Sequence, residues 1–329
     1  MTTGPRRLID THSFQFAEFG ESDVSPPYAI LSHRWIEGEE VTFQEFLNPG
    51  GREEMKKKSG YRKILRACMK AQNDGINFIW IDTCCIDKGN HDEVARDIKS
   101  MYAYYENSVV CYAYLVDVYK WYYGKESSRY REQWRKWMFE DSEWFQRGWT
   151  LQELLAPKEV VFFSHKWNKI GTREGLKELI CSVTAIPLEL LGGKSSLKDF
   201  DVKTRMSWAM GRMTTKPPDR AYCLLGILDI TVEPDYDEDV ETAFRRLQDA
   251  FEKAHPGYLD AESHEKSLIN SLVYQNVNDR MQTTSRRPRP TGDSVEDRRQ
   301  YMGMCNLYAS YRSFNKRRYL VPSSRDHVA

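Results

Sequence analysis

No excess of either charge runs through these 329 residues: forty-eight Lys and Arg stand against forty-eight Asp and Glu, a formal net charge of +0. No overall pull toward nucleic acid or an anionic membrane follows from that balance. Long apolar runs are missing too. The longest, residues 109–116 and 221–230, fall well short of the roughly 20 residues a spanning helix needs. The opening MTTGPRRLID holds no apolar stretch of the signal-peptide kind. Cysteine is sparse and unpatterned, seven residues without regular spacing, which argues for reduced thiols rather than a disulfide framework. Cys84 and Cys85 are adjacent, but no second pair completes a zinc site. Also absent are a Gly-x-x-x-x-Gly-Lys-Ser/Thr phosphate loop, a Gly-x-Ser-x-Gly elbow and a His-Glu-x-x-His motif. Enzymes built on those motifs are thereby set aside. The expectation is a cytoplasmic protein with no membrane span, no nucleic-acid partner and no bound prosthetic group.

What is present is apolar and aromatic. Hydrophobic residues make up 40% and aromatics 13%, with nine Trp and nineteen Tyr, ample for a packed core. Tyr28-Ala29-Ile30-Leu31-Ser32 reads as a buried strand, Phe78-Ile79-Trp80-Ile81-Asp82 as a second and residues 109–115 as a third. Between them, residues 61–73 repeat apolar groups at helical spacing, with Gly75 as the stop. Val94, Ile98, Met101, Tyr102 and Tyr105 mark another helix, which Asn90 or Asp92 would cap. Val160-Val161-Phe162-Phe163 is a further strand.

Strands alternating with helices predict an α/β fold, a mostly parallel sheet flanked by helices. Near-continuous apolar strands suit a sheet covered on both faces. Residues 166–255 read as a mainly helical extension, with 221–227 a buried helix and 240–251 amphipathic. Residues 119–141 read as a charged, aromatic surface helix or insertion. From 256 to 329 periodicity fades and basic runs appear at 286–290 and 315–318, so a loosely ordered, solvated tail is expected.

One segment, Glu143-Trp144-Phe145-Gln146-Arg147-Gly148-Trp149-Thr150-Leu151-Gln152-Glu153-Leu154-Leu155-Ala156-Pro157, reads as a short helix stopped by proline. Trp149 and Glu153 are four residues apart and would share a helix face. A ring beside a carboxylate can hold a flat cation, or can simply pack. Ligands of such sheets bind outside the carboxyl ends of the strands, which here are residues 32–35, 82–87 and the stretch after Leu115.

Tyr28-Ala29-Ile30-Leu31-Ser32-His33-Arg34-Trp35, Trp80-Ile81-Asp82-Thr83-Cys84-Cys85-Ile86-Asp87-Lys88 and Trp144-Phe145-Gln146-Arg147-Gly148-Trp149-Thr150-Leu151-Gln152-Glu153 resemble the three blocks of the fungal heterokaryon incompatibility (HET) domain. The resemblance runs from about residue 7 to about 252 and includes Asp219-Arg220-Ala221-Tyr222-Cys223-Leu224-Leu225-Gly226 of the extension. It departs at residues 232–239, where members often carry Met-Pro-Leu-Leu-Tyr-Gly-Glu-Gly. The resemblance implies a TIR-like, flavodoxin-like HET domain over residues 1–165, followed by a HET-associated extension. It further implies a role in non-self recognition and programmed cell death, with a homo-oligomer or other incompatibility and signalling proteins as partners. HET domains look like distant relatives of Toll/interleukin-1 receptor (TIR) domains. Trp149-Thr150-Leu151-Gln152-Glu153-Leu154 aligns with the segment that carries the glutamate of NAD-cleaving members. Glu153 thereby takes the catalytic position, with NAD as substrate.

Each site residue also has a structural reading. Glu153 could form a helix-face salt bridge with Arg147 or Lys158. Arg34 could take a pyrophosphate through its bidentate fork, or pair with Asp82 or Asp87. Trp35 and Trp149 could stack on a base or be buried. Asp82 could orient a ligand or cap backbone N–H groups. Ser32 closes the first strand and joins Arg34, Trp35, Asp82 and Trp149 as the candidate nucleotide-binding set. A Cys84 or Cys85 nucleophile would need a nearby base, with His33 or His91 in reach.

Overall fold

The computed structural model describes residues 4–20, 22–48, 52–119 and 136–256, all within one compact unit, Met1–Gln275. The tail expected from 256 onward lies outside the described residues, except for Pro256. So do both basic runs and most of the 119–141 segment.

Among the described residues, seven strands form one sheet: β1 (Arg7–Asp10), β2 (Gln15–Glu18), β3 (Tyr28–His33), β4 (Phe78–Trp80), β5 (Val110–Tyr114), β6 (Val160–Phe163) and β7 (Lys169–Thr172), in the order β2-β1-β4-β3-β5-β6-β7. Neighbours from β4 through β3 and β5 to β6 are parallel. At the edges β1 runs antiparallel to β2 and β4, and β7 antiparallel to β6. The fold is α/β, as expected, with helices flanking a mostly parallel sheet. Taken in chain order, the parallel strands lie second, first, third, fourth. That is the flavodoxin-like order, whose topological switch falls between the first and third strands, here β3 and β5.

Every residue of β3, β5 and β6 is buried, which requires cover on both faces. The helix Ser59–Asn73 supplies part of it through Ile64, Ala67, Cys68 and Ala71. It stops before Gly75, whose φ of +76° favours glycine. The helix His91–Glu106 begins where the Asn90 side chain accepts the Glu93 N–H at 3.1 Å. Tyr105 Oη donates to the Leu31 carbonyl at 3.3 Å, and Tyr28 Oη donates to the Tyr104 carbonyl at 2.5 Å. These bonds fix that helix over β3.

Three expectations change. The edge strands β1, β2 and β7 escape a periodicity reading because each is short and mixes polar with apolar residues. Asp82 does not end a strand: β4 stops at Trp80, and Asp82 opens the short helix Asp82–Cys85. The 143–157 segment is not one helix. A 3-10 turn, Glu143–Gln146, gives way at Arg147, whose φ of −83° and ψ of 141° are extended, and a separate helix spans Thr150–Leu155. Trp144 and Trp149 therefore sit on different elements.

The extension is helical, as expected, but 221–227 divides between Asp219–Tyr222 and Leu225–Leu228. Gly226 permits the close approach that follows, since a Cβ there would meet the Tyr102 Cβ at 2.2 Å. The divergent 232–239 loop is held by its own side chains. Tyr236 Oη donates to Asp219 Oδ1 at 2.8 Å, Tyr222 Oη donates to Glu238, and Arg246 Nη1 reaches Glu238 Oε2 at 2.8 Å.

Candidate functional site at the carboxyl edge of the sheet

All six residues of the Thr150–Leu155 helix are buried. Its Glu153 turns toward the last residues of β3, where Ser32 Oγ donates to Glu153 Oε2. The same hydroxyl oxygen accepts the Trp144 indole N–H at 2.8 Å. Indole, hydroxyl and carboxyl thus form a buried relay, with Glu153 only 7% exposed. Burial drives the Glu153 pKa up to about 7. The Ser32 hydrogen bond and the charge of Arg147 oppose that rise, and the charge of Asp82 adds to it. Near neutral pH this carboxyl group is poised between acid and anion.

Asp82 behaves in the opposite way. Its Oδ1 lies 3.0 Å from His33 Nε2, and its Oδ2 accepts the Trp35 indole N–H at 2.9 Å. Burial alone would raise its pKa, but His33, Lys88 and Arg147 outweigh it and hold the group at about 2. Burial, with Lys63 nearby, lowers the His33 pKa. At neutral pH the pair is therefore a neutral imidazole donating Nε2–H to an anion, and His33 Nδ1 is buried without a partner.

Two arginines hold the segment before Glu153. Arg147 Nη1 donates to the His33 carbonyl at 3.1 Å. Arg212, from the extension, donates to the carbonyls of Trp208 and Arg147 and to Thr150 Oγ1, each at 3.0 Å. Around it, Met213 N–H bonds to the Gln146 carbonyl at 2.6 Å and Gly148 N–H to the Met213 carbonyl at 2.8 Å. A Cβ on Gly148 would come within 2.6 Å of Thr214 Cγ2, so the extension docks directly against this turn.

Of the residues singled out in the sequence, the structure gathers Ser32, Trp35, Asp82 and Glu153 at one edge. Arg34 departs: it pairs with Glu143 at 2.8 Å, both half-exposed, rather than with Asp82 or Asp87. Trp149 is half-buried and hydrogen-bonds to Asp219 of the extension. Trp35 is not a core residue; it is 38% exposed. Glu153 forms a hydrogen bond with Ser32 in place of the suggested salt bridges. Cys84 and Cys85 are buried, and burial raises the Cys84 thiol pKa well above its usual value. The His33 Nε2 that would serve a thiol is occupied by Asp82. Sequence reasoning missed Arg212 and the buried Lys63–Glu40 pair at 2.6 Å, since nothing in their local spacing distinguishes them from surface charges. No group of three or more His, Cys, Asp or Glu suited to a metal occurs among the described residues. Nor is any helix among them long and apolar enough to cross a membrane.

Residues 28–134 match the family model "Heterokaryon incompatibility protein (HET)". That span includes Ser32, Arg34, Trp35 and Asp82 but stops before Glu153. The chain is also 44% identical over 228 residues to the Vegetative incompatibility protein HET-E-1 of Podospora anserina, covering 69% of this chain and 16% of that protein. No solved structure matches. With the blocks at Ser32–Trp35 and Asp82 placed side by side on the sheet, the chain is a heterokaryon incompatibility (HET) domain protein.

Proposed function

We propose that this chain acts in cytoplasmic non-self recognition and programmed cell death, and that its HET domain does so by self-association and cleavage of NAD. The role in incompatibility is suggested by the similarity to HET-E-1, of which the chain spans only 16%. The observation that carries the chemistry is Glu153, set beneath the carboxyl edge at the switch between β3 and β5 on the Ser32 hydroxyl. Breaking the bond between nicotinamide and ribose builds oxocarbenium character on the sugar. The bonding pair leaves with nicotinamide, which departs neutral, so no general acid is required. Water then adds to the ribose carbon and gives up a proton, leaving ADP-ribose. A carboxylate near that carbon stabilises the developing charge, and Glu153 supplies it in its ionised form. Its burial means that the Thr150–Leu155 helix must shift, or the Gln146–Gly148 turn open, before substrate reaches it. Self-association is the step assigned to that opening.

Concentrated protein should consume NAD, and Glu153→Gln should reduce the rate by at least about 100-fold, the scale of losing a key electrostatic group. Equal inertness of wild type and variant, with death still triggered by both in cells, would reject the enzyme reading. One observation favours a second reading: the Trp144–Ser32–Glu153 relay is fully internal, as expected of polar groups that fix a helix on a sheet. On that reading the domain is an interaction module and Glu153 a structural acid.

A further inference from the structure

Two cations flank an exposed tryptophan at the carboxyl edge of β3 and β4, and a third lies on the neighbouring extension. The Trp35 indole is pinned by its N–H on Asp82. The Lys88 ammonium lies 3.6 Å from the ring centroid and the Arg147 guanidinium 5.7 Å from it. Lys216, on the stretch of the extension that follows the contacts with Gln146 and Gly148, lies over the Tyr236 ring at 3.9 Å. Its charge reaches Lys88: burial lowers the Lys88 pKa, Asp82 opposes this, and the like charge of Lys216 adds to it.

Three cations share two neighbouring carboxyl groups: Asp82 is acted on by Lys88 and Arg147, and Asp219 by Lys216 and Arg147. Lys63 is matched by Glu40 and Arg34 by Glu143. Lys88, Arg147 and Lys216 form no ion pair among the described residues. The two Asp82 oxygens already serve His33 and Trp35, and Asp219 accepts from Tyr236 and Trp149. Like charges that outnumber their partners repel, and an anionic ligand would relieve that. The place is the edge where doubly wound sheets bind ligands. Lysine and arginine are the usual partners of phosphate, and an exposed indole face offers a stacking platform for a base.

We propose that Trp35, Lys88, Arg147 and Lys216 form a binding site for a nucleoside diphosphate group. The two phosphates engage the three cations, and the base stacks on Trp35 once Lys88 moves from the ring face to a phosphate. This rests on the NAD reading for its physiological ligand, since NAD carries such a group, and it replaces Arg34 as the pyrophosphate contact. Binding does not require Glu153 to react.

The test is calorimetric titration of the full chain with ADP at low salt, with inorganic pyrophosphate and adenosine as competitors. Saturable ADP binding is expected, displaced by pyrophosphate and not by adenosine. It should weaken at least about tenfold in a Lys88→Gln/Lys216→Gln double variant, recover with Lys88→Arg and persist in Glu153→Gln. Both lysines are exposed, so the double variant should still fold, with a small loss of Tm because Lys88 helps to hold Asp82 ionised; Trp35→Leu, read by the same titration, gives a second route to the site. Absence of ADP binding, unchanged binding in the double variant, adenosine competing as well as ADP, or binding of single-stranded RNA without ADP would each overturn the proposal. ADP binding that is lost in the double variant while the wild type leaves NAD intact would support the site and remove the cleavage reading.

Discussion

Glu153 and Asp82 are two carboxyl groups of one sheet edge, each close enough to feel the other's charge, yet they carry opposite protonation. Glu153 has one hydroxyl donor and a buried setting, and its pKa rises to about 7. Asp82 has an imidazole, an indole and two cations around it, and its pKa falls to about 2. Burial pushes both upward; the count and charge of donors decides the outcome. The difference divides the labour of the site. One carboxyl is permanently anionic and organises His33, Trp35 and the neighbouring cations. The other can change state near neutral pH, which is what a group needed only at the moment of reaction requires.

The largest expected effect tests the Glu153 half. A carboxyl whose folded pKa is raised from 4.5 to about 7 favours folding while it is neutral in both states. That contribution is lost as pH rises from about 4.5 through about 7 and stays lost above. The change is on the order of 3 kcal/mol. Glu153→Gln should therefore match wild type near pH 4.5 and exceed it in stability near pH 8, read by urea unfolding at both pH values. A Gln variant that is less stable at the higher pH would mean that Glu153 is ionised and paired in the folded protein, and the contrast with Asp82 would collapse.

Asp82 should give a smaller effect of opposite sign. Its folded pKa is depressed from 3.8 to about 2, so its contribution is present above about 3.8 and is lost as pH falls through about 2. Asp82→Asn should cost about 2 kcal/mol at neutral pH, with the deficit shrinking in acid. It also frees the Trp35 indole, so tryptophan fluorescence should change together with stability. A deficit that does not depend on pH would assign Asp82 a packing role only.

The two carboxyl groups were unequally legible in the sequence. The buried parallel strands were readable because β3, β5 and β6 are continuous apolar runs, and the ends of such strands point to a site by topology alone. Edge strands of four residues were not, since two polar positions in Gln15–Glu18 look the same in a loop. Glu153 stood out through its block, but its partner did not. The Ser32 hydroxyl is brought to it across more than a hundred residues of chain, and no local spacing encodes that meeting. Arg212 was invisible for the same reason, because its three acceptors lie on other turns. Trp35 was open in the sequence between stacking and burial, and the Asp82 carboxylate pins its ring at the surface.

Arg34 supplies the smallest effect and the sharpest control. It is adjacent in sequence to both His33 and Trp35, and its fork suits a pyrophosphate, yet the structure pairs it with Glu143 where the two side chains remain 42% and 38% exposed. Exposed pairs of this kind are worth about 0–1 kcal/mol, since water screens the attraction and two long side chains must be ordered to make it. Arg34→Ala should therefore lower stability by under about 1 kcal/mol, less so at high salt, as unfolding in low and high sodium chloride would register. More telling is what it should leave alone. Neither the loss of stability between pH 4.5 and about 7 tied to Glu153 nor the acid behaviour of Asp82 should move, because Arg34 is not among the main causes of either group's shift. ADP affinity should likewise persist within about twofold, the size of a weak screened contact. If removing Arg34 displaced the Asp82 titration or abolished ADP binding, the charge that organises the anionic half would reach beyond Lys88 and Arg147, and the division between the two carboxyl groups would have to be redrawn around the Arg34–Glu143 pair.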